Sequence, residues 1–316
     1  MHGLIHESGM SEIVMKTISI NKKLNSLTTD DFVSEGFWVK AVKRFFKHKL
    51  AVIGLSIFIL ITLGCIFYPM IADLSTAFDL NYAEMNQKPS SRHIFGTDGL
   101  GRDVLMRLML GGRVSLSVGI VAALTSTIIG VTLGGIAGFF GKKADMIIMR
   151  FTDIVMCFPF LVICMVLVSI LGPGLGNTMF AIALLKWTNA ARITRGEILY
   201  LREKQFIEAD KSLGINKYKT LFAHILPNAI SPIIVNTTFA MADSIMTESS
   251  LSFLGLGVLL PTPTWGNMLK DASTLVILKT QPWLWIPPGV CIALIVLSIN
   301  FIGDGLRDAL DPRMDL

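Results

Sequence analysis

The sequence has few charged residues: Asp, Glu, Lys and Arg make up 16% of its 316 residues, whereas hydrophobic residues make up 52%. Soluble domains carry roughly 25% charged residues. This deficit argues against a soluble globular protein and indicates a polytopic membrane protein. The net charge of +5 is small for a protein that binds nucleic acid, so we predict no nucleic-acid partner. In a membrane protein, a basic excess more simply reflects cytoplasmic loops.

Sequence signatures of catalysis and metal binding are also missing. The chain has no GxxxxGK[ST] phosphate-binding loop, no HExxH and no zinc-type spacing of Cys and His. We therefore predict no catalytic, cofactor-binding or metal-ligating residues in this chain, and any ATP must be hydrolysed elsewhere. The cysteines lie in apolar stretches without a CxxC motif, and we expect them to be small buried hydrophobic residues rather than a disulfide or metal set. They are Cys65, Cys157, Cys164 and Cys291.

Long apolar runs, in contrast, are abundant. A bilayer core needs about 20 mostly apolar residues per helix, and six segments approach or reach that length. They are Leu50 to Ala72, Ser115 to Phe140, Ile154 to Leu171, Thr178 to Ala191, Ile230 to Ile245 and Trp283 to Ile302. The fourth span contains Lys186, and the fifth contains Asn236 and Asp243. The prediction is an all-α integral membrane protein of about six transmembrane helices.

The distribution of lysine and arginine predicts how these spans are oriented. With six spans, 20 of the 28 Lys and Arg residues fall on the side that holds both termini. Because such residues concentrate in cytoplasmic loops, we place both termini in the cytoplasm of a multi-pass protein of the cell membrane. The predicted organisation is a cytoplasmic tail (1–49), a first span (50–72), an extracytoplasmic segment (73–114), a five-helix core (115–304) and a cytoplasmic tail (305–316).

Polar residues within the spans are candidates for function, because an uncompensated charge in lipid costs a few kcal/mol. Each of them either hydrogen-bonds between helices or lines a pathway, and the sequence leaves both possibilities open. Lys186 and Asn300 are two polar residues of this kind. The candidate pathway residues are Asn189, Asn236, Thr237, Asp243 and Glu248. The second span also carries small residues at GxxxG spacing, Gly130, Gly134 and Gly138. Such spacing lets helices approach closely, and we expect packing within the chain rather than a dimer contact.

The longest polar loop in the core, residues 196–228, carries the most informative pattern. Residues 202–213 favour a helix that Gly214 ends, since glycine readily adopts the left-handed conformation after a helix. A second short helix is predicted over 218–226, where Pro227 redirects the chain. Its apolar stripe is suited either to a groove on a partner protein or to a lipid surface. The stripe consists of Ile215, Tyr218, Leu221, Phe222 and Ile225.

The spacing in this loop resembles the pattern E-A-A-x3-G-x9-I-x-L-P found in transmembrane subunits of binding-protein-dependent ATP-binding-cassette importers. The chain departs from it twice, with Asp210 in place of the second alanine and His224 in place of the first isoleucine. In that family the loop docks in a cleft of a cytoplasmic ATPase subunit. The resemblance implies that ATPase contacts are made by Glu208, Ala209, Gly214, Tyr218, Leu221, Phe222, Leu226 and Pro227.

Further stretches narrow the resemblance. FGTDGLGRDVLMRLMLGGRVSLSVG from Phe95, ESSLSFLGLG from Glu248 and the ending NFIGDGLRDALDPR are similar to the peptide and nickel branch of these importers. The likeness covers roughly residues 37 to 313 and suits the C-type permease of the pair, with a type I permease fold. It implies peptide import, most simply of oligopeptides, with dipeptides or a nickel chelate as alternatives. A transporter outside this family is less consistent with the loop.

The resemblance also implies a set of partners. They are a homologous second permease, two cytoplasmic ATPase subunits that hold ATP and Mg²⁺, an extracytoplasmic substrate-binding protein and membrane lipid.

Overall fold

The computed structural model describes residues 37–311, which are mainly helical and contain no strand. The described residues divide into two units, 37–44 and 45–311, and those of the first are helical. Most of the predicted N-terminal tail, residues 1–36, and the last residues of the predicted C-terminal tail, 312–316, lie outside the described residues. The all-α prediction is confirmed for the described part of the chain.

The helices are α1 (Phe37–Lys47), α2 (Lys49–Ile71), α3 (Val104–Phe140), α4 (Lys142–Met156), α5 (Phe160–Leu171), α6 (Leu175–Arg202), α7 (Gln205–Ser212), α8 (Lys217–Thr220), α9 (Leu226–Phe253), α10 (Trp265–Asp271), α11 (Leu275–Thr280) and α12 (Pro282–Leu310). A π-helical turn, Leu221–Ile225, joins α8 to α9. Two short 3₁₀ turns, Leu74–Ala77 and Tyr82–Glu84, lie between α2 and α3.

Four helical stretches in the described residues are long and apolar enough to cross a membrane: α2, α3, the continuous helix Lys217–Phe253 and α12. A fifth span results if α4 and α5 are taken together. The predicted fourth span lies in α6, which is too polar to qualify because it also carries Lys186, Arg192 and Arg195. Its place as a span therefore depends on its packing rather than on its composition.

The predicted third span is not one straight helix. The chain breaks between Met156 and Phe160, and α4 and α5 are bent by 87° at the break. Pro159 explains it, since proline has no N–H to donate and disfavours a helical conformation in the residue before it. Cys157 lies at this break and is exposed, so its predicted burial was wrong, whereas Cys65 and Cys164 are buried and Cys291 is half-buried.

Two helices extend beyond the predicted spans. Helix α3 begins at Val104, within the segment 73–114 that was predicted to be extracytoplasmic, because the Asp103 carboxylate accepts a hydrogen bond from the Met106 N–H at 2.8 Å and caps the helix. Helix α12 ends at Leu310 rather than before the predicted tail at residue 305. Ala309 and Leu310 are buried, so packing stabilises this last turn.

Helices α3 and α6 run parallel and in close contact through the glycines of α3. A Cβ atom built on Gly130 would lie 2.5 Å from the Ala190 Cβ, and one on Gly134 would lie 2.3 Å from the carbonyl oxygen of Ala191. A Cβ atom built on Gly138 would likewise lie too close to the side chain of Ile198. The small residues therefore serve packing within the chain, as predicted, and they hold α6 against the long apolar helix α3.

Candidate functional site

The predicted loop folds as helix, glycine turn and helix. After α7, the Gly214 N–H donates to the carbonyl of Lys211 at 3.1 Å and the Ile215 N–H donates to the carbonyl of Asp210 at 3.0 Å. These two bonds form a Schellman motif, with Gly214 in the left-handed conformation at φ +70°. The Asn216 side chain then accepts a hydrogen bond from the Tyr218 N–H at 2.9 Å and starts α8. The turn is thus held by two backbone hydrogen bonds at the end of α7 and by the Asn216 side chain at the start of α8.

Pro227 does not redirect the chain, contrary to prediction. It lies in the first turn of α9, and the helix is continuous from Lys217 to Phe253. Proline is tolerated in such a junction because the wider π turn before it changes the hydrogen-bond register, so the N–H that proline lacks is not needed there. Helix α8, the π turn and the membrane helix α9 therefore form one continuous helix, so that a movement of α8 moves α9 with it.

The predicted apolar stripe divides into a buried base and an exposed surface. Leu221 and Ile225 pack with Ile198, Leu201 and Ile207 in one apolar cluster. Tyr218 and Phe222 instead face outward, with 58% and 68% of their surface exposed. Other residues of the element are also exposed: Glu208, Ala209, Leu213 and Pro227, with Leu226 half-buried.

We call Glu208, Ala209, Leu213, Tyr218 and Phe222 the docking surface. Leu213 has 77% of its surface exposed. Large exposed apolar residues grouped on one element are typical of a surface that binds another protein or a membrane. Because the base beneath is packed on α6, this surface is held in a fixed orientation relative to the membrane helices.

Asp210 and His224, the two departures from the importer pattern, touch each other. The His224 Nδ1 atom is in hydrogen-bond contact with the Asp210 carboxylate. The Asp210 side chain is 9% exposed and that of His224 is 37% exposed. The pair therefore links α7 to the π turn beside the buried base and lies off the docking surface.

A second candidate site is a cavity of about 420 Å³ among α3, α6, α9 and the break between α4 and α5. Pockets for small ligands commonly enclose about 300–1,000 Å³. The residues that line it are Ser126, Val155, Met156, Phe158, Phe160, Ile163, Leu185, Lys186, Thr188, Asn189, Ala190, Asn236, Phe239, Ala240 and Asp243. The cavity combines amide and hydroxyl groups, one ion pair and aromatic walls.

Three of the five predicted pathway residues, Asn189, Asn236 and Asp243, line this cavity. The Asn189 Nδ2 group donates to Asn236 Oδ1 at 3.3 Å, across α6 and α9. Thr237 lies outside the cavity lining and pairs with Thr127 of α3 at 3.0 Å between the hydroxyl oxygens. For Thr237, helix–helix hydrogen bonding is therefore the better interpretation.

Glu248 is also not a cavity residue. Its side chain is fully buried, and its carboxylate accepts hydrogen bonds from Ser115 at 2.8 Å and from Ser252 at 2.7 Å. The Ser115 hydroxyl also accepts a bond from the Trp265 N–H at 3.4 Å. Glu248 thus joins α3, α9 and the start of α10 by hydrogen bonds between helices, and its assignment to the pathway stays a prediction.

Sequence reasoning left out several cavity residues. Lys186 was considered as a polar residue in a span but was not assigned to the pathway, and its ammonium group contacts Asp243 and lies 5.3 Å from the centre of the Phe160 ring. Opposite charges in two predicted spans were the signal for this pair, because a charge in lipid needs a partner. Phe158 and Phe160 flank Pro159, whose break turns both rings toward the cavity region.

The motif FGTDGLGRD builds a compact structure before α3. Asp98 accepts hydrogen bonds from the backbone N–H and the Nε of Arg102, at 3.0 and 2.7 Å, and lies 3.5 Å from Arg107 Nε. Arg107 is buried and also donates to the carbonyl of Ala77 at 3.2 Å. Nearby, burial raises the pKa of the Asp271 carboxyl despite the two arginines. Arg102 and Arg107, which lie on the side of the spans with fewer basic residues, are therefore neutralised by Asp98 within a folded segment.

The pair between Lys186 and Asp243 gives a stability prediction. We expect Asp243→Ala to lower the free energy of unfolding by about 1–3 kcal/mol, because the Lys186 side chain is only 8% exposed and would lose its partner. The value lies below that of a fully buried pair because Asp243 is 71% exposed. Thermal unfolding of the purified protein in detergent measures the change.

The matched control is Asp153→Ala, which breaks the pair with Arg192, where both side chains are nearly half exposed. Exposed pairs contribute about 0–1 kcal/mol. Equal losses of unfolding free energy in the two variants would show that burial of Lys186 does not increase the cost of removing its partner.

Two family models match this chain. Residues 130–316 match the family model of the binding-protein-dependent transport system inner membrane component, and residues 36–89 match that of the N-terminal TM domain of oligopeptide transport permease C. A dipeptide transport system permease protein of Alkalihalophilus pseudofirmus is 42% identical over 90% of this chain and 93% of its own length.

Two further relatives have a similar coverage. An oligopeptide transport system permease protein of Bacillus subtilis is 41% identical over 89% of this chain and 91% of its own length. A glutathione transport system permease protein of Pectobacterium atrosepticum is 40% identical over 88% of this chain and 91% of its own length. The region shared with these relatives is long enough to contain both the docking surface and the cavity.

Proposed function

Since the chain belongs to the family of binding-protein-dependent transport system inner membrane components, we propose that it is the permease subunit of an ATP-driven importer of peptides, chiefly oligopeptides. The observation that carries the proposal is the docking surface: exposed Tyr218 and Phe222 on a helix that continues into the membrane helix α9. The chain itself is not proposed to be an enzyme. Two partner ATPase subunits hold ATP and Mg²⁺.

The proposed orientation places the docking surface and both termini in the cytoplasm. The excess of lysine and arginine on that side supports this orientation. The segment 73–103 and the region 254–281 then face the outside of the cytoplasmic membrane, where a substrate-binding protein delivers the peptide. A homologous second permease completes the pathway.

In this proposal, the free energy of ATP binding by the partner subunits reaches the permease through the docking surface. ATP binding closes the pair of ATPase subunits, and the cleft that holds Tyr218 and Phe222 moves with it. Because Ile225 fixes the base of the element in the cluster with Ile198 and Leu201, the motion reaches α6 and α9 together. A lipid contact at the same surface would explain the exposed rings but not the exposed carboxylate of Glu208 on α7, which favours a protein partner. The membrane helices then alternate between two arrangements around the cavity.

The cavity suits a peptide in transit. Its amide groups on Asn189 and Asn236 can donate to and accept from a peptide backbone, whose repeated N–H and C=O groups are independent of sequence. The aromatic walls provide contact with apolar side chains without a closely fitting pocket. Relatives named for dipeptide, oligopeptide and glutathione transport favour a peptide substrate over a nickel chelate, and a dipeptide is the second candidate.

The test is Phe222→Asp in the complete importer, reconstituted in vesicles with its binding protein. A charge in an apolar cleft is expected to weaken binding of the ATPase subunits by about 2 kcal/mol or more, which is more than tenfold. Copurification of the ATPase with the permease and ATP-driven uptake of a labelled oligopeptide are measured. Competition by unlabelled dipeptide or nickel chelate ranks the alternative substrates.

Tyr82→Asp is the control, since Tyr82 is 64% exposed but lies in the segment that precedes α3. It is expected to leave ATPase binding intact. Full copurification and uptake with Phe222→Asp would rule out the docking surface as the place where energy enters.

A further inference from the structure

Two charged side chains lie in the cavity, and they are unequally accessible. Of the described residues that line it, only Lys186 and Asp243 are charged, and their side chains are in hydrogen-bond contact. The Lys186 side chain is 8% exposed, whereas that of Asp243 is 71% exposed. The pair is neutral in sum, but the charge that a molecule in the cavity can reach is therefore the negative one.

The Asp243 carboxylate also has unused capacity to accept hydrogen bonds. Lys186 donates to its Oδ2 atom, and within residues 37–311 no donor reaches Oδ1. An ionised carboxylate can accept about four hydrogen bonds. A second cation can therefore bind Oδ1 while Lys186 keeps Oδ2.

The aromatic residues of the cavity favour a cation as well. Phe158, Phe160 and Phe239 belong to its lining, and an aromatic face attracts an ammonium group within about 6 Å of its centre. A carboxylate ligand would instead meet Asp243 as a like charge. Lys186, the one cation of the described lining, is already paired and lies 5.3 Å from the centre of the Phe160 ring. The cavity thus selects an ammonium group over a carboxylate.

Helix α9 sets the distance from this carboxylate to the amide pair of Asn189 and Asn236. Asn236 and Asp243 are seven residues apart on α9, so both lie on the face that lines the cavity. At a rise of 1.5 Å per residue, they are about 10 Å apart along the helix. An extended peptide spans that distance with about three residues. A peptide whose N-terminus lies at Asp243 therefore reaches the amide pair with its third residue.

We propose that Asp243 determines specificity by binding the N-terminal ammonium group of the peptide through Oδ1, while Lys186 holds Oδ2 in place. The Asn189 and Asn236 amides bind the peptide backbone about three residues further on. This role of Asp243 rests on the proposed function, because it names the part of the peptide that the cavity recognises. The preferred substrate is then a peptide with a free N-terminus and at least about three residues.

Uptake by the complete reconstituted importer tests this role with labelled trialanine, its N-acetyl form and its C-terminal amide. Each peptide saturates the binding protein, so that binding to that protein does not determine the rate. We expect Asp243→Asn to lower the ratio of free to N-acetyl peptide taken up by about tenfold or more, the effect of losing a hydrogen bond between charged groups.

Equilibrium binding to the importer in detergent, without the binding protein, makes the same comparison in the absence of transport. Trialanine amide carries only the ammonium group, and N-acetyl-trialanine carries only the carboxylate. We expect the wild type to bind the amide more tightly. Asp243→Asn is expected to weaken binding of the amide by about tenfold or more and not to weaken binding of the N-acetyl form.

Two further variants separate binding by Asp243 from side effects of the substitution. Lys186→Met combined with Asp243→Asn removes both charges and leaves neither unpaired, and it is expected to lose the same discrimination. If this double variant discriminated as the wild type does, repulsion by unpaired Lys186 would explain the single variant, and the role of Asp243 would be overturned. Asp153→Asn neutralises a carboxylate that pairs with Arg192 outside the cavity lining, and it is expected to keep the wild-type ratio.

Asn236→Ala tests the placement of the peptide along α9. It is expected to reduce uptake of trialanine severalfold, the effect of losing one neutral hydrogen bond, and to leave uptake of dialanine unchanged. Equal reductions for the two peptides would overturn this placement.

The outcomes separate the role of Asp243 from the proposed function. If peptides are imported and the ratio of free to N-acetyl peptide is the same in the wild type and both charge variants, the role of Asp243 alone is overturned. If the wild-type importer takes up no peptide but binds trialanine amide in a way that Asp243→Asn abolishes, the proposed function fails and the ammonium site stands.

Discussion

Gly134→Ala is expected to destabilise the folded permease by about 2–3 kcal/mol, the upper part of the range for overpacking a tight contact. The added methyl group would lie 2.3 Å from the carbonyl oxygen of Ala191 and 2.9 Å from its Cα. Both are backbone atoms of α6, so no side chain can rotate away, and the helices must separate. Separation would also widen the cavity, whose wall includes Ala190. Thermal unfolding in detergent and accumulation in the membrane measure the loss.

Gly135→Ala is the matched control one residue away. A Cβ atom at Gly135 meets only the end of the Ile198 side chain, at 3.9 Å. Because alanine stabilises a helix interior by about 1 kcal/mol relative to glycine, this variant is expected to be as stable as the wild type or more so. If both variants lost stability equally, the close approach of α3 and α6 at Gly134 would not be the cause of the loss.

The hydrophobic runs and the glycine spacing predicted the membrane helices well, because burial in lipid imposes a strong requirement on length and polarity. Besides α6, which is too polar to qualify as a span by composition, two features escaped this logic. Pro159 interrupts an apolar run that reads as a single span, and hydropathy does not register a bend of 87°. Asp103 starts α3 early through a cap, a local hydrogen bond that a hydropathy profile also does not register.

The sequence predicted the parts of the candidate site whose structure is determined by backbone conformation. It did not predict the parts whose structure is determined by packing against other helices. Gly214 was recognised from its spacing, and the Schellman motif confirms the predicted turn. The helical stripe was also recognised, but periodicity alone does not distinguish the side that packs, Leu221 and Ile225, from the side that is exposed, Tyr218 and Phe222. That distinction depends on α6, which is distant in sequence.

Polar pairs between residues that are distant in sequence were the hardest part of the structure to predict from the sequence. Glu248 was assigned to the pathway because a carboxylate in a span is costly, but its partner Ser115 lies 133 residues away. The same rule applied to Lys186 and Asp243 leads to the cavity. A charge in a span thus predicts that a partner exists, and only the fold decides whether the pair is structural or lines a cavity.

Gly214→Val is expected to reduce peptide uptake about tenfold or more while the permease still inserts into the membrane. Gly214 has φ +70°, a conformation in which a β-branched residue is strained, and no atom lies within 4 Å of a Cβ built there. The cost is therefore conformational, about 1–2 kcal/mol, and each 1.4 kcal/mol corresponds to a factor of ten. Relief of the strain is expected to break the two bonds of the Schellman motif and to change the angle between α7, which carries Glu208, and α8, which carries Tyr218.

Two further variants separate backbone conformation from size. Gly196→Val adds the same side chain to an exposed position of α6, also with no atom within 4 Å but without positive φ, and it is expected to retain uptake. Gly214→Asn adds a side chain where asparagine tolerates the left-handed conformation, and it is expected to retain most uptake. If Gly214→Asn failed as Gly214→Val does, the side chain itself would obstruct the ATPase, and the turn angle would not be what the glycine provides. Retained uptake with asparagine would instead show that the importer needs the angle between α7 and α8, because that angle keeps Glu208 and Phe222 on one surface.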